Sequence, residues 1–319
     1  MDDKKPPRII SKNQRVGVMD LGTNTFHLLI AGGTASQYRE IVHKHESVKL
    51  GEGGINKGII QPAAYERGIN TMQKFHQDIA DQGVKEVRAI ATSALRGASN
   101  GKQFIDEVEA KTGICIETID GEQEAEYIYK GVKLAGGLSN QTSLIMDIGG
   151  GSVEFILGNE QSILWKQSFE IGAARLMDKF HQIDPIPAES IAALNHYLEE
   201  QLVNLFAAAS KYPVSVLIGS SGAFETFAEV IELQKGNPFD LKKIKNYTFQ
   251  KTDLIAVIDK LITLSHQERV HTKGIIPIRI DMIVVASLIT RFVMQKLGID
   301  NVCMSTNSLK EGVLAEMLG

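Results

Sequence analysis

The sequence predicts an α/β fold of two like domains, each a mixed sheet flanked by helices, facing one another across a cleft. Two observations carry that prediction. Strand-like and helix-like stretches alternate along the chain, and each half opens on an antiparallel hairpin pattern. A stretch of the first half also recurs in the second: residues 18–30 line up with residues 145–157 without a gap. Asp20 falls on Asp147, Gly22 on Gly149 and Thr25 on Ser152. An offset of 127 residues between Asp20 and Asp147 is too long for a solenoid repeat and suits a duplicated domain.

Taken in order, residues 15–21 read as a strand and 26–31 as its hairpin partner. Residues 38–50 alternate loosely and give one further strand or two, and 51–54 are a glycine-rich loop. Pro62 sits where a first helical turn tolerates it, and Ile69, Met72, Phe75 and Ile79 put helical spacing on 63–82, which Gly83 stops. Residues 84–92 read as a strand, 93–96 as a turn, 101–111 as a helix and 114–119 as the last strand of the first half. A helix opens at Gly121 and runs to about residue 134. Its acidic first turn suits the helix dipole, so Glu122 and Glu124 read first as capping residues.

In the second half, residues 143–157 form the central hairpin and 163–171 the next strand. A short helix begins at 172–175, and Pro185 and Pro187 lead into one long amphipathic helix over 188–210. Residues 214–218 read as a strand that ends in Gly219, Ser220, Ser221 and Gly222 and launches a helix from Ala223. Helices follow over 252–264 and 281–297, then a strand over 300–304. Ser308 and Glu311 have the spacing of a capping box at the head of a final helix.

Composition narrows the class. With 319 residues, 43% of them apolar and 23% charged, the chain supports two ordinary globular cores. A net charge of −4 excludes a nucleic-acid binder held by bulk electrostatics, so an anionic ligand needs local donors. No apolar run reaches the roughly 20 residues of a membrane span. Residues 1–15 are polar, carry Pro6 and Pro7, lack the core of an export signal and read as a frayed tail. Cys115 and Cys303 lie in apolar runs and read as buried thiols, which fits a reducing cytoplasm. The oligomeric state is open, a homodimer included.

The chemistry gathers at the repeated hairpins. Three glycines bare the backbone at Gly149, Gly150 and Gly151, so that its N–H groups and the Ser152 hydroxyl converge on an anion the size of a phosphate. Gly22, Thr23 and Asn24 form the matching turn of the first half. Asp147 stands at the mouth of its turn, where a carboxylate holds hydrated Mg²⁺ against phosphate oxygens, and Glu154 follows on the exit strand. A plain hairpin would explain one such turn. Two in register imply a cleft that grips a polyanion from both sides. Gly219, Ser220 and Ser221, between a strand and a helix, add a third anion-binding arrangement.

Residues 20–27, 91–96, 121–125, 147–154, 219–222 and 309–314 together resemble the exopolyphosphatase/guanosine pentaphosphate phosphatase (Ppx/GppA) family, in the right order across nearly the whole chain. The resemblance implies two actin-like, ribonuclease H-like domains, at 1–122 and 123–307, with the final helix, 308–319, packed back on the first. It implies that Glu124 is the general base, that Asp147 and Glu154 serve the metal and the water, with Asp20 as a further metal carboxylate, and that Arg96 grips phosphate. The family often reads Gly-x-Glu-Glu-Ala, and here Gln123 takes the place of the first glutamate. Many members carry a helical C-terminal extension; this chain ends just after the last motif, so a weaker grip on long polyphosphate is expected.

The activity so implied is Mg²⁺-dependent hydrolysis of the terminal phosphoanhydride of polyphosphate, with guanosine pentaphosphate as the alternative substrate. A kinase or ATPase of the same fold and a non-catalytic sensor are the remaining classes, and retention of Glu124, Asp147, Glu154 and Arg96 speaks against the sensor. Arg175 reads as a second clamp or a solvated helix residue. Lys44, Lys49 and Lys166 would extend a basic rail, and His27, His43 and His45 read as structural.

Overall fold

A computed structural model describes residues 15–35 and 37–319. The frayed tail expected over residues 1–15 lies outside the described residues but for Arg15, which begins a strand.

The first half runs β1 (Arg15–Leu21), β2 (Thr25–Thr34), β3 (Gln37–Ser47), α1 (Pro62–Asp81), β4 (Glu86–Ala91), α2 (Ser93–Gly97), α3 (Gly101–Thr112) and β5 (Ile116–Thr118). α4 (Gly121–Leu134) follows. The second half runs β6 (Ser143–Ile148), β7 (Val153–Gly158), β8 (Ile163–Phe169), α5 (Ala173–Phe180), α6 (Ala188–Gln201), α7 (Val203–Lys211), β9 (Val216–Ser220), α8 (Gly222–Gln234), β10 (Asn246–Thr248), α9 (Lys251–Thr263), α10 (His266–His271), α11 (Ile283–Leu297), β11 (Val302–Ser305) and α12 (Leu309–Leu318).

The two sheets repeat one topology. The first has the order β3-β2-β1-β4-β5, and the second, read from its far edge, β8-β7-β6-β9-β11-β10. β1 pairs antiparallel with β2 and parallel with β4; β6 pairs antiparallel with β7 and parallel with β9. The turns match as well, since Gly22 N–H donates to Thr25 O at 3.1 Å and Gly149 N–H to Ser152 O at 3.0 Å. The cross-strand partner of Asp20 is His27, and that of Asp147 is Glu154. The duplication read from the sequence is therefore a duplication of strand order, register and turn, and the fold is a pair of like α/β units, each a mixed sheet flanked by helices.

Each sheet has a core on its outer side: Leu28, Met72, Phe75 and Phe104 in the first half, Phe155, Phe224, Phe227 and Leu254 in the second. A third core joins the halves. Val16, Val18 and Leu29 of the first sheet and Ile145, Ile156 and Ile218 of the second pack with Ile128 and Val132 of α4 and Val313 and Leu314 of α12. Apolar residues on both faces of β1 and β6 reflect this, because each sheet is covered on two sides. α4 and α12 touch through their backbones: a Cβ on Gly131 would lie 2.0 Å from Ser308 O, and one on Gly312 would lie 1.9 Å from Tyr127 O.

Two expectations are corrected, and one that left alternatives open is narrowed. The helix expected over 188–210 is two, because Leu202 leaves helical geometry with φ −96° and ψ 16°. Hydrogen bonds run through the break, with Leu202 N–H on Leu198 O and Phe206 N–H on Leu202 O, so apolar periodicity continues and hides it. Residues 38–50 give one strand, β3. The cysteines are not buried: Cys115 is exposed ahead of the short edge strand β5, and Cys303 is half-buried because only the three-residue β10 covers its side of β11.

Candidate active site

The strand ends that carry the two hairpin turns meet in the cleft. Gly150 and Gly151 are required by that meeting. A Cβ on Gly150 would come 2.3 Å from Asn24 Nδ2, and one on Gly151 2.5 Å from Ser93 Oγ and 2.8 Å from Thr23 Oγ1. Thr23, Asn24 and Ser93 of the first half are thus in contact with the glycine turn of the second. The start of α5 occupies the acceptors of this turn: Ala173 N–H bonds Gly149 O at 2.8 Å, Ala174 N–H bonds Gly150 O at 2.9 Å and Gly172 N–H bonds Gly151 O at 3.2 Å.

Four carboxylates line the floor. Asp147, 7% exposed, accepts from Ser220 Oγ at 2.8 Å and from Ser308 Oγ. Glu154, 1% exposed, accepts from Ser168 Oγ at 2.6 Å. Glu124, in the first turn of α4, is 7% exposed and meets Arg96 Nη1 at 3.3 Å. Asp20, the last residue but one of β1, is half-buried. Burial raises all four. Asp20 is pushed up to about 7, with Asp147 adding and Lys310 opposing. Glu154 rises to about 8. Glu124 stands well above the carboxylate range through burial and the Glu154 charge, with Arg96 pulling the other way. Asp147 is raised by burial, with Ser308, Ser220 and Lys310 favouring its charge.

The basic groups stand at the rim and beneath the floor. Arg96 donates from Nη1 to Ile119 O at 2.9 Å, which fixes its guanidinium beside Glu124. Arg175 donates from Nε to Gly151 O at 3.0 Å and from Nη1 to Ile55 O at 3.1 Å, so it ties the glycine turn to the first half. Its side chain is 20% exposed and lies on the glycine turn. Cavities of about 230 and 490 Å³ open beside Arg175, while the carboxylate floor lies covered.

The structure scatters the remaining candidates. Ser220 is buried and serves Asp147. Ser221, at φ +72°, donates to Ile148 O at 3.1 Å. Gly219 is filled against the Phe224 ring, 2.1 Å from where a Cβ would stand. Lys44 is paired with Asp78 and Lys166 with Glu126, away from the rail expected of them, while Lys49 faces Asp281 at 3.8 Å. The His27 ring lies 6.0 Å from His45 and 6.3 Å from His43, and burial and the cations around it hold His27 well below its usual range.

Lys310 lies within the 309–314 motif, but the sequence assigned it no role of its own. It was read as part of a capping box, which the structure contains: Ser308 N–H donates to Glu311 Oε2 at 2.8 Å. Lys310 itself points into the floor, pairs with Glu311 at 3.1 Å and acts on Asp20, Asp147 and Glu225. Burial works against its charge, but Glu311, Glu225 and Asp20 outweigh it and keep the ammonium protonated. A lysine one residue inside a capping box carries no sequence sign that it faces inward.

The donor set fits a hard divalent cation. Burial and mutual repulsion raise these carboxylates, and a cation of oxygen preference reverses both effects. Among the described residues, no three His, Cys, Asp or Glu side chains lie close enough to hold a metal by themselves. An ion here would complete its shell with water and phosphate oxygens, as Mg²⁺ commonly does.

Comparison with known proteins follows the same lines. The model of the Ppx/GppA phosphatase family matches residues 29–319. A crystal structure of an exopolyphosphatase from Cytophaga hutchinsonii superposes with a TM-score of 0.93 at 41% identity, covering 96% of this chain and 98% of that one. A Ppx/GppA family member from Aquifex aeolicus gives 0.79 at 25% identity, covering 96% and 97%. A Haemophilus influenzae protein provisionally named as an exopolyphosphatase is 26% identical over 301 residues, 94% of this chain and 90% of that one.

Proposed function

Because the chain belongs to the Ppx/GppA phosphatase family, we propose that its cleft hydrolyses the terminal phosphoanhydride of inorganic polyphosphate and releases orthophosphate. The protein is a phosphoanhydride hydrolase; polyphosphate as its substrate, the roles of the residues and the metal are our reading. The observation that carries it is Glu124: a buried carboxylate of raised basicity, next to Arg96, in a cleft whose other wall is a glycine turn. Support for polyphosphate over guanosine pentaphosphate comes from the 41%-identical relative named as an exopolyphosphatase.

In this reading the N–H edges of the turns at 22–24 and 149–152 and the guanidinium groups of Arg96 and Arg175 hold the terminal phosphate. Glu124 accepts a proton from the attacking water, a task suited to a carboxylate whose basicity burial raises. Glu154, fixed by Ser168, orients that water. Asp147, fixed by Ser220 and Ser308, and Asp20 would hold Mg²⁺, which when bound supplies charge neutralisation at the phosphate oxygens. Lys310 keeps the floor from repelling the substrate before the ion binds. The domain division at residue 122 is part of the same proposal, with α4 as hinge and α12 bridging. Two unpaired cysteines suit a reducing compartment such as the cytoplasm. Among the described residues no helix is long and apolar enough to cross a membrane.

Phosphate release measured side by side on short polyphosphate, long polyphosphate, guanosine pentaphosphate and ATP tests the reading. The expected order puts polyphosphate first, with activity lost in excess chelator and restored by Mg²⁺. Preference for guanosine pentaphosphate would replace the substrate and keep the mechanism; preference for ATP, or full activity in chelator, would overturn the reading.

A further inference from the structure

The two arginines assigned to the phosphate are already bridged by an anion. Glu170 lies between the end of β8 and the start of α5, and its two oxygens are shared out across the cleft. Oε1 accepts from Arg96 Nη2 at 3.4 Å. Oε2 accepts from Arg175 Nη2 and from Ser93 Oγ at 3.3 Å. Arg96 and Ser93 belong to the first half and Arg175 to the second, so one carboxylate spans the mouth. The same guanidinium groups touch Glu124 on one side and Gly151 on the other. Two guanidinium groups and a hydroxyl around acceptor oxygens are the donor set expected of a phosphate site.

The bridge is weak enough to be broken. The Glu170 side chain is 55% exposed, and an ion pair with so exposed a partner is weak. A phosphate group brings up to twice the charge and a third oxygen to the same donors. A polyphosphate chain has further phosphates to hold on by, whereas free orthophosphate has only this clamp. The cost of displacing the carboxylate is common to both, so a product with no other hold is left weakly bound while a polyanion stays.

We propose that Glu170 is an internal anion that occupies the Arg96–Arg175 clamp, yields it to the terminal phosphate of the substrate and reclaims it as orthophosphate leaves. It lowers the hold of the clamp on any terminal phosphate by the same factor, and the consequence falls on orthophosphate, which has no other phosphates to hold on by. The inference rests on the assignment of Arg96 and Arg175 to phosphate in the proposed function.

Calorimetric titration of inorganic orthophosphate, with Mg²⁺ present throughout, tests it on the wild type, Glu170→Gln and Glu170→Ala. Both variants are expected to bind orthophosphate on the order of tenfold more tightly, the scale of one charge-assisted contact. The gain should vanish when Arg175→Gln is added to Glu170→Gln. Orthophosphate should also inhibit polyphosphate cleavage at correspondingly lower concentration in Glu170→Gln. Unchanged or weaker binding in both single variants, or no binding in any protein, overturns the inference; weaker binding would make Glu170 a strut that aims the arginines. Binding decides the matter without turnover. A protein that cleaves polyphosphate but shows no gain in Glu170→Gln refutes the internal anion alone, and one that cleaves no phosphoanhydride refutes the proposed function.

Discussion

Glu124 and Glu122 separate two roles within one helical turn. Both lie in the acidic first turn of α4, and the capping of that helix belongs to a third residue, Asp120, which accepts from Gln123 N–H at 2.8 Å. Glu122 is exposed and 3.5 Å from Lys166, while Glu124 is buried against Arg96. A helix start can favour both charges, but only one of them faces the cleft. Glu124→Gln keeps the shape and loses the proton acceptor, so turnover should fall by ~10²–10⁴, the usual share of a general base. Phosphate affinity should hold or tighten, because a charge beside a polyanion is gone. Glu122→Gln should leave turnover near normal. Equal activity of the two variants, compared at matched fold stability, would return Glu124 to a structural role. The sequence showed the acidic turn but not which carboxylate was buried, since that depends on β4, β7 and β8 arriving from elsewhere in the chain. The family resemblance selected Glu124; burial beside Arg96 supplies a physical reason.

At the scale of elements, α12 shows where sequence reading ends. Its start was legible, because Ser308 and Glu311 form a local pattern with local hydrogen bonds. Its destination was legible only through the family resemblance, because the faces it joins lie hundreds of residues upstream in β1, β2 and α4. The structure adds that its first turn delivers Lys310 beneath the floor and Ser308 onto Asp147. The break at Leu202 and the short elements β10 and α10 stayed hidden for the opposite reason: a one-residue bend or a three-residue strand leaves no period to read. The Lys310 side chain is 12% exposed among Asp20, Asp147, Glu225 and Glu311. Removing one partner of a buried charge cluster leaves the others uncompensated, which costs about 3–5 kcal/mol. Lys310→Met should lower the free energy of unfolding in urea by that amount, and Lys310→Arg by clearly less. A loss under about 1 kcal/mol in Lys310→Met would mean that water or relaxation already neutralises the floor.

For the whole molecule, the duplication was the most legible feature, because a gapless match between residues 18–30 and 145–157 survives in the side chains that the turn itself requires. What the match could not give was how far apart the halves stand. In this conformation they are drawn together at the mouth. Asn56 Nδ2 donates to Arg175 O at 3.0 Å and to Asp178 Oδ2 at 2.8 Å, Arg175 reaches Ile55 O, and Lys49 faces Asp281. Asp147, Glu124 and Glu154 are 7%, 7% and 1% exposed beneath these contacts. A chain of phosphates cannot reach them unless the mouth opens, and the contacts that hold it shut are few, polar and at the rim, the kind that open at low free-energy cost. A polyanion that engages both turns would then favour the closed form by its differential contacts. Hydrogen exchange should report this. Backbone amides of residues 51–58 and 173–178 are expected to exchange faster than those of β1 and β6, and to slow when tripolyphosphate is added to a Glu124→Gln protein that does not consume it. Asn56→Ala removes three of the rim contacts, the one it accepts from Arg175 Nη1 included, and leaves the floor intact, so the same amides should exchange faster in the free variant while β1 and β6 are unchanged. Exchange that is identical in the two proteins, and indifferent to tripolyphosphate, would mean that substrate enters by another route and that the mouth contacts are a permanent part of the fold.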